Sequence, residues 1–458
     1  MPITASSGAL TYTKAVNNVN ANYWFLQPAA GTYNNFASFQ INNSQIYLNN
    51  FSSSSASELF KLSGLSNPSL SYYAIGGAAL AGNMYFASST VVRILGNQYA
   101  PSTQFPYPLS QNATSVVLNL SASTIVGSRQ PTRFNPDTND SFKFYQWGIG
   151  SSQTWITAIR RISNGVFQPC LLLQSPYILC PFSGSFSISN NIISGLRLTN
   201  SNEEPTVLYT SDVTGQPVNQ PKRVALLQVN KTIQNTPSKP VDHLINNWDF
   251  AYLGDNLKSS DLRLDSNDNS YFTFYDHATG VGYLAKVNDS GVEQWQRSVS
   301  NTRLFGVVLK SNTEIYVVGV TSTGRLWIAE FNDSGTLQWQ NEMIGSTAFN
   351  NVSSNYQEGI AKIEYDSSNL YLAGTGGYRS AAWFITKVPD DGTVIGNGEY
   401  VFSDGSVITY QTSSQTIATS TLSTTSNGYN SSPSGVDDTT SALYTASLQS
   451  LNKTVGYP

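Results

Sequence analysis

Two histidines, His243 and His277, and two cysteines, Cys170 and Cys180, are all the imidazole and thiol in these 458 residues. Nucleophilic catalysis needs an activated Ser, Cys or Lys beside a base, and a zinc site needs several such ligands together. Here the histidines are far apart in sequence. His277 follows Asp276 in what reads as a strand-to-strand turn, and His243 falls in what reads as a linker. The chain has no H-E-x-x-H, no phosphate-loop G-x-x-x-x-G-K-[ST] and no G-x-S-x-G. Gly374-Thr-Gly-Gly377 follows an expected strand and leads to no helix, so it reads as a β-turn. Two adjacent carboxylate pairs, Glu203-Glu204 and Asp390-Asp391, fall in loops. Retaining glycosidases instead hold two carboxyls about 5 Å apart across a substrate. Asp265-Ser-Asn-Asp268-Asn269 alternates oxygen ligands as calcium loops do, and makes Asp265 and Asp268 weak calcium candidates. It lacks the distal Glu and Gly of such a loop, and a plain polar turn is the preferred reading. The expectation is no enzyme, no cofactor and no resident metal.

The elements that would position these residues are suggested by composition. Only 11% of residues are charged, against roughly 25% in ordinary soluble domains. Net charge is -4, with no basic cluster, which argues against nucleic acid as a partner. No apolar run is long enough to span a bilayer, so no membrane insertion is expected. The opening MPITASSGALTYTKAV lacks the basic and apolar regions of a secretory signal. Two readings of Cys170 and Cys180 stand: buried free thiols, or a bridge across a hairpin. Asn-x-Ser/Thr triplets such as Asn112-Ala-Thr114 matter only in a glycosylating compartment.

The repeat is the strongest signal. YLAKVNDSGVEQWQ (283–296) returns 44 residues later as WIAEFNDSGTLQWQ (327–340). Gly291 maps onto Gly335 and Trp295 onto Trp339; a third unit keeps Trp383 and the turn Asp390-Asp391-Gly392. The clearest units are 258–301, 302–345 and 346–402, the last lengthened by a polar insert near 346–357. Weaker echoes run upstream, including Trp155–Gln168 as a third strand, turn and fourth strand. Short strands repeating at this period predict stacked four-stranded blades. The expected fold is all-β: a β-propeller of about seven four-stranded blades, six to eight being compatible, over 31–402. Extended arms flank it at 1–30 and 403–458, the second rich in Ser and Thr. The strand-three aromatics (Tyr283, Trp327, Trp383) and strand-four Trp295 and Trp339 are expected to fill the space between blades.

The phrase K/E-x-N-D-S-G, x-x-Q-W-Q, then I-Y-V-V-G resembles bacterial β-propeller repeats of the PQQ-like and delta-60 type. The resemblance is good over 258–402 and loose over 36–257. It implies a fold, not a reaction, and the quinone-binding residues of that superfamily's dehydrogenases are not matched. The opening ITASSGALTYTKAV and the Ser/Thr-rich end resemble arms of tailed-phage virion proteins. This resemblance implies a virion structural protein of the phage tail, its fibres or a surface decoration, assembled in the host cytoplasm. Its arms, 1–30 and 403–458, would contact other virion subunits or copies of the chain. Two rivals stand beside it: a carbohydrate-binding adhesin propeller reading a host surface glycan, and a secreted archaeal or bacterial filament or surface-layer protein, extracellular or at the cell surface.

Overall fold

The computed structural model describes the strands and turns within 11–14, 22–26, 35–51, 56–63, 69–76, 78–79, 84–98, 112–119, 127–133, 141–149, 154–163, 166–173 and 178–179. It further describes 192–212, 222–235, 240–254, 256–345, 361–366, 369–375, 383–394, 399–401, 407–420 and 422–426. Among these residues there is no helix, and the strands form seven antiparallel sheets. The insert at 346–357 and residues 427–458 lie outside the described residues.

Most sheets are meanders of consecutive strands. The first spans 35–76, the third 141–179, the fourth 192–254, the fifth 257–299, the sixth 302–345 and the seventh 361–389. The second, 78–133, adds a short extra pairing of Met84–Ser88 with Val91–Gln98. Burial explains why the sequence reads so strongly here. Glu314–Thr321 is buried at every position after Glu314, and Gly282–Val287 is buried throughout. Such continuous apolar runs belong to strands covered on both faces.

Two expectations need correction. His243 is not in a linker: it lies in the long strand Pro240–Gly254, opposite Thr232. The polar residues around it hid that strand, because a ladder needs only backbone groups. Trp155–Gln168 spans a second and a third strand, not a third and a fourth. Thr154–Ser163 is the second strand of the third sheet and Val166–Leu173 its third.

The chain divides into two compact units. The first comprises 1–76, 273–285 and 295–420; the second comprises 77–272, 286–294 and 421–458. In the first unit one apolar core joins the sixth and seventh sheets through Phe305, Tyr316, Val318, Ile363, Leu372 and Val388. Gly306 lets them approach: a Cβ there would stand 3.2 Å from Ile363 Cγ2. In the second unit the fourth and fifth sheets share buried hydroxyls. Ser194 Oγ and Ser259 Oγ are 2.7 Å apart, and Thr210 Oγ1 is 2.9 Å from Ser259 Oγ.

Strands within 11–26 and 399–426 also join these sheets. Thr11–Lys14 pairs with Asn22–Leu26, which pairs with Trp383–Pro389 of the seventh sheet. Val407–Thr412 pairs with Leu337–Gly345 of the sixth sheet, and Glu399–Val401 pairs outside it. Ile417–Thr419 pairs with Glu293–Val299 of the fifth sheet, and Thr424–Ser426 with Pro240–Gly254 of the fourth.

Candidate functional site

The repeated Asn-Asp-Ser-Gly phrase builds one turn twice. Asn332 Oδ1 accepts from Ser334 N at 3.0 Å and Thr336 N at 2.9 Å. Asn288 Oδ1 does the same for Ser290 N at 3.1 Å and Val292 N at 2.8 Å. An Asn side chain that binds the following amides closes the turn locally. Gly335 completes it at φ 70°, in the left-handed region that disfavours a side chain.

Each such glycine is also a seat for a tryptophan of the preceding sheet. A Cβ on Gly335 would lie 2.7 Å from Trp295 Cδ2, and one on Gly291 2.7 Å from Trp248 Cγ. The same holds for Gly392 beneath Trp339. Trp295 Nε1 then donates to Asp333 O at 2.7 Å, and Trp248 Nε1 to Asp289 O at 2.8 Å. Arg297 fastens the Trp295 junction further. Its Nε donates to Gly335 O at 2.7 Å and its Nη2 to Ser334 O at 2.9 Å, with the guanidinium over the Trp295 ring.

The third junction, in the first unit, uses different partners and gathers ionisable groups. Tyr316 OH donates to Asp390 O at 3.0 Å. Trp339 Nε1 turns to Glu330 Oε2 at 2.6 Å, on the neighbouring strand of its own sheet. Lys310 Nζ lies 2.8 Å from Glu314 Oε1 and 3.1 Å from Asp390 Oδ2, 5.8 Å from the centre of the Tyr365 ring. Its ammonium is held charged beyond the usual lysine range, first by the hydrogen bond to Glu314. That bond in turn holds Glu314 below its ordinary 4.5. Glu330 shifts the other way: burial raises its pKa, while the Trp339 bond opposes the rise. Burial also pushes the Tyr316 and Tyr365 hydroxyls up. Lys310 is thus bound by two carboxylates and Glu330 by an indole.

The remaining candidates also have placements. Asp265 Oδ1 accepts from Asn267 N and Asn269 N, and Oδ2 from Asn269 Nδ2. Asp268 Oδ1 accepts from Asn200 N at 2.6 Å and Oδ2 from Ser201 N at 3.3 Å. These carboxylates organise two turns, and among the described residues no group of three or more His, Cys, Asp or Glu is placed to hold a metal. Trp327 is fully buried and donates to Gln340 Oε1 at 2.9 Å. Tyr283 stacks on Phe274 with centroids 4.9 Å apart. Trp383 opens its strand and Cys170 lies in Val166–Leu173, the side chains of both being outside the described set. Cys180, Gly376 and Gly377 lie outside the described residues. His277 O accepts from Arg303 Nη2 at 3.0 Å.

Sequence reading missed Arg297, Lys310 and Glu330. A signal existed in the repeat itself: Lys286 becomes Glu330 and Arg297 becomes Asn341 at matching positions. Charge changing within a conserved frame marks where one junction differs from the next.

No protein-family model matches the chain, and no curated protein matches it. Among solved structures it is similar to the polysaccharide lyase Uly1, at 9% identity and TM-score 0.39, covering 85% of this chain and 99% of that one. An uncharacterized protein from Listeria monocytogenes matches at 8% identity and TM-score 0.33, over 80% of this chain and 92% of that one. Prolyl oligopeptidase B from Galerina marginata matches at 10% identity and TM-score 0.41, over 88% of this chain and 52% of that one. Likenesses this distant carry no argument about activity.

Proposed function

We propose that the seven sheets are the blades of a β-propeller and that the chain is a structural scaffold of a virion, in a tail, fibre or surface decoration. The observation that carries the scaffold reading is the pairing of the strands within 11–26 and 407–426. The first strands pair with the last repeat's sheet, and the last strands pair onto outer strands of earlier sheets. Both devices cover sheet edges, which otherwise invite uncontrolled pairing. Pairing the start of the chain with its last repeat is what closing a ring of blades requires, because a ring leaves no terminal blade face exposed. Three further observations support a structural role. The Gly–Trp seats are mechanical contacts, the ionisable groups of the third junction bind one another, and the sparse charge suits permanent packing. The virion assignment rests on the resemblance of the two arms.

Mass spectrometry of purified particles tests the role. The chain is expected at a stoichiometry comparable to the other structural subunits. Its absence from particles, with accumulation of free chain, would overturn the reading.

A further inference from the structure

The C-terminal segment is held in an unusual way. In the first unit, residues 407–420 cross two sheet edges. Val407–Thr412 lies along Leu337–Gly345, and Ile417–Thr419 lies along Glu293–Val299. Between these strands the ladder continues through Ser413 N to Gln340 O at 3.0 Å and Ser300 N to Thr416 O at 3.0 Å. Gln340 Nε2 adds a bond to Gln415 O at 3.0 Å, and Gln411 Nε2 one to Glu342 Oε1 at 3.1 Å. Tyr410 contributes a fully buried side chain, with its hydroxyl accepting from Asn341 Nδ2 at 2.9 Å. Thr412, Ser414, Thr416, Ala418 and Thr419 are exposed.

A strand bound through a backbone ladder is recognised by pairing and register rather than by a deep pocket. Every one of its bonds would be the same if the segment came from another copy of the chain. Domain swapping is a low-cost route to association for that reason. We propose that the outer edges of Leu337–Gly345 and Glu293–Val299 form a strand-acceptor site for residues 407–420 of a second copy. Copies then link by exchanging this segment. The inference rests on the scaffold reading, and it names the subunit contact that reading requires: Tyr410 is the plug, Asn341 its latch, and the partner a second copy.

Ser298 and Ala418 are paired across the ladder, so cysteines placed there report occupancy. They form a hydrogen-bonded type of pair, whose Cα separation of about 5.5 Å suits a disulfide. Full-length Ser298→Cys and Ala418→Cys chains, each keeping the native cysteines, are mixed, incubated and oxidised. A third chain carries both substitutions. The double variant should close within one chain. The mixture should give a cross-linked heterodimer several-fold above the dimer either single variant forms alone. Tyr410→Phe, which keeps the plug and drops the latch, should speed heterodimer formation. Two results would overturn the proposal: a double variant that does not close, or one that closes while the mixture stays at the single-variant background. This assay reads purified chain only, so a chain that exchanges but is absent from particles would sink the virion role and leave the exchange standing.

Discussion

Trp295 and Trp339 stand at the same place in consecutive repeats, 44 residues apart, and each rests on a glycine of the following sheet. Their polar partners differ. Trp295 donates to the backbone carbonyl of Asp333 in the turn it covers, and Arg297 clasps that turn. Trp339 donates to the Glu330 carboxylate, Tyr316 takes the Asp390 carbonyl, and Asn341 Nδ2 reaches Gly392 O at 2.9 Å. The turns differ as well. Asn332 caps its own turn, whereas Pro389 occupies the matching place and Asp391 Oδ1 takes over the bond from Thr393 N at 2.9 Å. The steric contact is therefore the constant of the repeat. Its hydrogen bonds are interchangeable, provided each buried donor finds an acceptor.

The largest test of that ordering removes the constant. Gly335→Ala forces a Cβ to within 2.7 Å of the Trp295 ring, at a φ of 70°. Gly280 has nearly the same backbone, at φ 71°, with nothing within 4 Å of a built Cβ. Gly280→Ala should cost about 1 kcal/mol, the left-handed backbone term alone. Gly335→Ala should cost about 2–4 kcal/mol, because a rigid ring must also move. Urea unfolding of the two variants measures the difference. Equal losses would show that the ring contact is not what constrains the glycine.

A second pair of variants separates the interchangeable part. Trp295→Phe keeps most of the ring but takes away a donor to Asp333 O, and should cost about 1–3 kcal/mol at any pH from neutral to mildly acid. Trp339→Phe takes away the donor that steadies the Glu330 carboxylate. Its cost should be greatest at neutral pH and shrink as Glu330 takes a proton. Unfolding curves at two pH values decide it, and parallel behaviour of both variants would remove the distinction between the junctions.

Much of the frame was legible because it repeats. Gly291, Gly335 and Gly392 stood out as turn glycines and Trp295 and Trp339 as space-filling rings, while the seating of each ring on a glycine came only with the structure. Sheets with continuous apolar strands, such as Glu314–Thr321, were readable for the same reason. The strand containing His243 was not, since its polar residues carry no apolar pattern and its pairing is made by backbone groups. Nor was the path of residues 407–426, whose Ser and Thr composition fits a loose arm as well as an edge strand. The Lys310 cluster was hidden by sequence distance, since Asp390 and Tyr365 reach it from another sheet.

The finest test concerns the two glutamates of the third junction, whose shifts have opposite signs. Glu314 is held below 4.5, so its contribution is present above that value and lost as pH falls through its lowered folded pKa. Glu330 is raised above 4.5, so its contribution is complete below that value and lost as pH rises through its raised folded pKa. Glu314→Gln should therefore lower stability slightly at neutral pH, flatten the acid limb of the profile and leave the most acid region unchanged. Glu330→Gln should flatten the decline between mildly acid and neutral pH, since an amide oxygen still accepts from Trp339. Both effects are small: the Lys310 and Glu314 side chains are 30% and 35% exposed, where ion pairs contribute little and salt screens them. Thermal unfolding from about pH 3 to pH 8, at low and high salt, reads both. The Glu314 effect should fade with salt, and the Glu330 effect, which comes from burial, should persist. Loss of both in high salt would mean that the third junction is an exposed ion-pair network, not a partly buried replacement for the Arg297 clasp.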